Sequence, residues 1–246
     1  MAIGGNMIKN EEVKTSPKQR IVIILIAILM LGSTFALYTG IVLNYNKPAE
    51  SNSSKEEKQA RFDKLYNEYQ GKLDAIAKNL SDQHYQDFLQ YKSRVRSFNN
   101  AGANDLKVED LKVGTGREIV EMTDYDYAAY YIGWLADEKV FDSSFDNYSN
   151  PTALDYPLTG SGTMIQGWLE GITRNTDDNG NVIWDGMRIG GVREITIPAI
   201  LGYGDTDQGD IPAGSALKFV VMLIEKPEEV PVPEELEKLY GELYGA

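Results

Sequence analysis

The spacing of apolar positions divides the chain into three zones. Between Ile21 and Leu43 the run IVIILIAILMLGSTFALYTGIVL carries no charge over 23 residues. As a helix rising about 1.5 Å per residue it would reach roughly 35 Å, enough to cross the hydrocarbon core of a bilayer. Farther on, Phe62, Tyr66, Tyr69, Leu73, Ile76 and Leu80 follow one another at steps of 4, 3, 4, 3 and 4, which places them on one face of a helix. Ser81 is the expected N-cap of a second helix carrying Tyr85, Phe88, Leu89 and Val95. This stripe suits a short coiled coil, and equally a helical hairpin packed on itself or on the next domain, so residues 59–97 are a candidate for self-association or partner docking. His84, without a visible partner, reads as a packing or surface residue.

From about Lys107 the period changes to two. YDYAAYYIGWL (125–135), GVREITIPA (191–199) and ALKFVVMLIE (216–225) predict strands, and the last, apolar on both faces, predicts a central one. Between them Ile165, Trp168, Leu169 and Ile172 form a short helical stripe. Several strands and one short helix predict an α+β domain in which an antiparallel sheet packs a single helix. The chain thus divides into an N-terminal tail (1–20), a transmembrane anchor (21–43), a linker (44–58), a helical segment (59–104), a folded domain (105–226) and an acidic C-terminal tail (227–246) with a short helix over 233–244.

Charge orients this scheme. Lys9, Lys14, Lys18 and Arg20 precede the apolar run, so the positive-inside rule predicts a cytoplasmic N-terminus and an extracytoplasmic domain. The length of the run and the lack of a small-x-small site favour a retained anchor over a cleaved signal that would leave a secreted protein. A net charge of −13 and a pI near 4.6 argue against a nucleic-acid partner. With no cysteine there is no disulfide and no thiol catalysis.

The remaining chemistry is narrow. KVFDSSFDN (139–147) offers Ser143 and Ser144, but the domain has no histidine to serve as base and no glycine-flanked elbow. Those serines read as turn-capping hydroxyls. DTDQGD (205–210) and NTDDNGN (175–181) miss the calcium-loop spacing, and the second reads as a hairpin turn. TGSGT (159–163) lacks the lysine of a phosphate loop. What is left is a set of aromatic and aliphatic residues with few polar handles: Tyr131, Phe141, Asp142, Ile165, Trp168, Tyr203, Ile211 and Phe219. Taken singly, each would be ordinary core packing.

Their order changes that reading. YYIGWLADEKVFDSSFD, PLTGSGTMIQGWLEGI, MRIGGVREITIPAILGYG and IPAGSALKFVVMLIE, in this sequence, resemble the FKBP-type peptidyl-prolyl cis-trans isomerases over about half of the chain, roughly Lys107–Lys226. The resemblance implies an FKBP-like antiparallel sheet wrapped on a short helix with a hydrophobic pocket between them. Trp168 would be the floor of that pocket and Tyr131, Phe141 and Phe219 its walls, with Met164 and Ile165 at one side. The backbone N–H of Ile165 would receive the substrate carbonyl, Tyr203 and Ile211 would sit on a flap over the proline, and Asp142 would be the polar group among apolar walls. Leu154 would stand where many members have a pocket aromatic, and Asn147 where a cation is common. The flap is short and acidic, and an insertion at about 175–186, with Trp184, reads as a small hairpin near the pocket. The resemblance further implies Xaa–Pro segments of unfolded or exported proteins as substrates, macrolide-type ligands, and neither cofactor nor metal. The alternative on the same fold is a catalytically weak chaperone or binding module tethered to the membrane.

Overall fold

The computed structural model describes residues 52–160 and 164–244. The expected anchor at 21–43 lies outside the described residues, and among those described no helix is long and apolar enough to cross a membrane. The contacts separate two compact units, one spanning Asn67–Pro231, the other joining the described residues 52–66 with 232–244.

In the larger unit a six-stranded antiparallel sheet is built from β1 (Lys107–Lys112), β2 (Ala128–Trp134), β3 (Val140–Ser143), β4 (Leu158–Thr159), β7 (Val192–Ile197) and β8 (Leu217–Ile224). Its order is β1-β7-β8-β2-β3, with β4 paired to the start of β2. β8 is the middle strand and is apolar on both faces, as its sequence predicts. β1, KVEDLK, forms one edge, and its exposed charges discourage pairing with another chain.

The period of two sorts β2 and β8 between two cores. Tyr127, Ala129 and Tyr131 face the same way as Leu217, Phe219, Val221 and Leu223, over which the short helix α2 (Gln166–Ile172) lies. Ala128, Tyr130, Ile132 and Trp134 face the other way with Val220, Met222 and Ile224. Two glycines one helical turn apart let α2 lie close on β7. A Cβ at Gly167 would come within 2.3 Å of Ile197 Cγ2, and one at Gly171 within 2.7 Å of Ile195 Cγ2. Arg193 of β7, with 1% of its surface exposed, locks this contact. Its guanidinium donates to both oxygens of Asp110 at 2.7 and 3.0 Å and to the carbonyls of Gly171 and Asp185 at 2.9 Å.

The second face is covered by the helical segment, which differs from expectation. A single helix, α1 (Asn52–Leu89), takes the place of two, followed by a 3-10 turn over Gln90–Arg94. Its described part from Asn52 overlaps the expected 44–58 linker. Ser81 does not cap; it is buried, and its Oγ accepts the Leu154 N–H at 2.8 Å. No proline or glycine interrupts the chain between Leu73 and Leu89, so the helix continues through the serine. Phe88 is fully buried, with ring centroids 5.5 Å from Phe145 and 6.2 Å from Tyr130. Leu80, Tyr85, Leu89, Tyr91, Val95 and Phe98 pack against the core that contains it. His84 is a packing residue against Tyr130, and burial lowers its pKa more than Asp87 raises it. The compact unit is therefore wider than the 105–226 domain, because part of the helical segment belongs to its core.

Polar contacts reinforce this cover. Glu194, 4% exposed, accepts from Lys218 Nζ at 2.6 Å and Arg94 Nε at 2.7 Å. In the smaller unit, Phe62 stacks on Tyr66 and meets Tyr240 and Tyr244 of α3 (Glu234–Tyr244), the expected C-terminal helix. Of the apolar positions in 59–97, Phe62 and Tyr66 have ring partners, and Leu80, Tyr85, Phe88, Leu89 and Val95 pack in the second core.

Candidate functional site

The site lies on the α2 side of the sheet. β2 supplies Tyr131 and β8 supplies Phe219, which pack against Trp168 of α2. The Trp168 ring stands nearly perpendicular to both, with centroids 5.5 Å from Tyr131 and 5.3 Å from Phe219. Phe141 of β3 meets Phe219 edge-on at 5.6 Å. Such edge-to-face contacts fit the aromatic quadrupole and fix ring orientation. Gly133 makes this approach possible, because a Cβ there would lie 2.7 Å from both Phe141 Cζ and Phe219 Cε1. The Y-x-G spacing therefore has a steric cause: the tyrosine builds a wall, and the glycine two residues on leaves room for two others.

The polar elements sit at the edges of this cluster. Tyr131 Oη donates to Asp142 Oδ2 at 2.5 Å, while Asp142 Oδ1 accepts the Ser143 N–H at 2.9 Å. Asp142 thus orients Tyr131, and its negative charge adds to burial in raising the Tyr203 pKa. Ser144 Oγ accepts the Tyr131 N–H at 2.9 Å, so this serine joins β3 to β2 instead of attacking a substrate. Below the cluster, the hydroxyl of fully buried Tyr127 donates to Met164 Sδ at 3.6 Å. Burial pushes that hydroxyl up to about 12, against a smaller opposing pull from the Trp168 indole. The indole Nε1 itself is buried and, among the described residues, has no partner at hydrogen-bonding geometry.

Ile165 precedes α2 in an extended conformation (φ −60°, ψ 147°), and its carbonyl accepts the N–H groups of Trp168 and Leu169. Ile211 is 6% exposed within the same core as Trp168 and Phe219, and Met164, Ile165 and Leu201 pack on that core. Tyr203 is 38% exposed.

Two expectations are corrected. Leu154 does not reach the pocket; it pairs with Phe145 and is buried in the core on the opposite face, beside Phe88. The loop holding it returns under α1, a long-range placement that local sequence does not encode. The insertion does form a hairpin, β5 (Asn175–Thr176) with β6 (Val182–Trp184), turned by Asp177 and by Gly180 at φ +82°. It is not beside the aromatic cluster. Trp184 Nε1 donates to the Thr173 carbonyl at 3.1 Å, at the far end of α2. Glu118 there gathers Arg174, Arg188 and the Gly186 N–H beside a polar cavity of about 230 Å³. Asn147 turns inward on its own loop, accepting the Ser149 N–H at 3.0 Å. Tyr127 and Arg193 were not picked out by sequence as site-shaping residues. The period-two position of Tyr127 and the arginine following a Gly-Gly pair were the available signals.

Residues 123–224 match the sequence profile of the family described as FKBP-type peptidyl-prolyl cis-trans isomerase. A protein named FK506-binding protein from Neisseria meningitidis serogroup A / serotype 4A is 37% identical over 123 residues, covering 48% of this chain and 94% of its own length. The chain belongs to the FKBP-type peptidyl-prolyl cis-trans isomerase family. FK506-binding protein 2 of Debaryomyces hansenii is 41% identical over 98 residues, covering 40% of this chain and 61% of its own. The crystal structure of AtFKBP13 is 36% identical and covers 50% of this chain and 93% of its own, with a TM-score of 0.38. The FKBP-type domain is an isomerase of Xaa–Pro bonds, and the helical cover of the sheet begins upstream of the profile match.

Proposed function

We propose that Tyr131, Phe141, Asp142, Ile165, Trp168, Tyr203 and Phe219, with Met164 and Ile211, form the pocket in which the Xaa–Pro bond rotates. The observation that carries this is the pair of rings, Tyr131 and Phe219, that stand nearly perpendicular to Trp168, with Asp142 hydrogen-bonded to Tyr131. Rotation of a peptide bond meets a barrier of about 18–20 kcal/mol because resonance holds the amide planar. Twisting reduces the charge separation between oxygen and nitrogen, so apolar walls disfavour the planar ground state more than the twisted transition state. No nucleophile or general base is required. Each tenfold of rate needs only about 1.4 kcal/mol of differential binding. In this reading the Ile165 N–H holds the substrate carbonyl while the proline ring rests on Trp168. Asp142 positions Tyr131.

The same pocket is the place for a macrolide of the kind named in its relatives, the FK506-binding proteins. The uncharged run at 21–43 and the cations before it support a membrane tether with the isomerase domain on the extracytoplasmic side. Unfolded exported chains carrying Xaa–Pro bonds are then its substrates. The test is cis/trans exchange of an Xaa–Pro peptide by wild type and Trp168→Ala side by side. Acceleration by wild type that falls at least tenfold in the variant supports the site. Equal acceleration by both removes Trp168 from it. Binding of unfolded chains without acceleration would favour a holding module instead.

A further inference from the structure

We propose that Lys139 and Asp210 form a latch that positions the flap over the prolyl pocket, an inference that rests on the pocket assignment above. The pair joins the two segments that flank the aromatic cluster. Lys139 ends the β2–β3 turn, in which Glu138 has φ +72° and the Lys139 N–H donates to Asp137 Oδ1 at 3.1 Å. Two residues later comes Phe141. Asp210 immediately precedes Ile211, which is buried in the core with Trp168 and Phe219. Lys139 Nζ lies 3.0 Å from Asp210 Oδ1.

The flap is otherwise closed mainly upon itself. Gly204 N–H donates to the Ala199 carbonyl, Gly214 N–H to the Gly204 carbonyl, and Gln208 and Ile211 exchange both backbone bonds. Asp207 Oδ1 accepts the Ala213 N–H at 2.7 Å. These bonds shape the loop but do not fix its height over the pocket. Asn100 Nδ2 holds the base of the loop, donating to the Gly214 carbonyl at 3.3 Å, while insertion of Ile211 and the Lys139–Asp210 pair link its outer part to the pocket. Both charges are largely in water, with 47% and 74% of their side chains exposed, so the pair is weak and screened by salt. It suits a latch that yields to an entering peptide.

The experiment uses the full chain, an Xaa–Pro tetrapeptide and low-salt buffer. Lys139→Glu and Asp210→Lys should each raise KM about two- to fivefold with kcat nearly unchanged. The double exchange, Lys139→Glu with Asp210→Lys, should recover most of the loss. Added salt should bring wild type toward the single variants. Single variants with wild-type KM, or a double exchange no better than either single, would overturn the latch. Trp168→Ala, assayed in parallel, separates the two readings. If it is inactive while the latch variants behave as wild type, only the latch fails. If Trp168→Ala is fully active, the pocket assignment fails first.

Discussion

Phe88→Ala tests whether the helical segment belongs to the isomerase fold. The ring is fully buried and lies 5.5 Å from Phe145 and 6.2 Å from both Tyr130 and Tyr91. Truncating such a ring removes its transfer energy and leaves a cavity, a loss of about 3–5 kcal/mol. For a unit of this size each kcal/mol lowers Tm by about 2–4 °C, so the expected fall is roughly 6–20 °C. Thermal unfolding followed by near-ultraviolet circular dichroism reads it directly. Exchange activity below the new Tm should stay near wild type, because Phe88 and Trp168 belong to cores on opposite faces of the sheet. A fragment beginning at residue 104 should be more severely affected, since it uncovers Tyr130, Ile132, Trp134 and Phe145. A fragment beginning at residue 67 should keep them covered. A Tm within 2 °C of wild type for Phe88→Ala, or a 104 fragment as stable as the 67 fragment, would refute the docking of α1 on the sheet.

Gly133→Ala should push Phe141 and Phe219 apart and cost about 1–3 kcal/mol, with a loss of exchange activity larger than that caused by Phe88→Ala at equal temperature. Arg193→Leu should lower stability by about 3 kcal/mol in urea denaturation, because the carbonyls of Gly171 and Asp185 lose their buried donor. Burial alone would raise the Glu194 carboxyl, but hydrogen bonds from Lys218 and Arg94 outweigh it and hold the folded pKa below the usual range. A folded pKa below the unfolded one means that the unfolded chain binds more protons in acid. The contribution of Glu194 is therefore complete above the ordinary glutamate pKa and lost as pH falls through the folded value. Urea midpoints measured between pH 7 and pH 3 should decline less steeply in Glu194→Gln; parallel curves would refute this account.

The parts of the fold that were legible in sequence are those fixed by local spacing. The stripe of Ile165, Trp168, Leu169 and Ile172 predicts α2, and the two-faced apolar run at 216–225 predicts the central strand. The clustering of Tyr131, Phe141, Trp168 and Phe219 was legible only through the extended motif order, because a pattern of spacing names a face but not its partner. The errors arise where distant chain decides. Ser81 has an N-cap's chemistry, yet its hydroxyl is taken by the Leu154 N–H, 73 residues away. Leu154 follows the wall segment in sequence but is drawn to the back of the sheet by Phe145 and Phe88. The hairpin at 175–184 was readable from its turn residues, while its position was set by Glu118 and Thr173, which no local pattern connects to it.

The alternation along β2 gives neighbouring residues separate duties on one backbone. Tyr131 faces the Trp168 side, proposed above as the substrate side, while Tyr130 and Ile132 on either side hold the helix behind. Substitutions at the first kind of position can alter what the pocket accepts without loosening its support. Those at the second can change the durability of the protein without altering its selectivity. A lineage carrying this strand can therefore adapt to new clients and to harsher surroundings along independent routes, provided that insertions never shift the strand by a single residue.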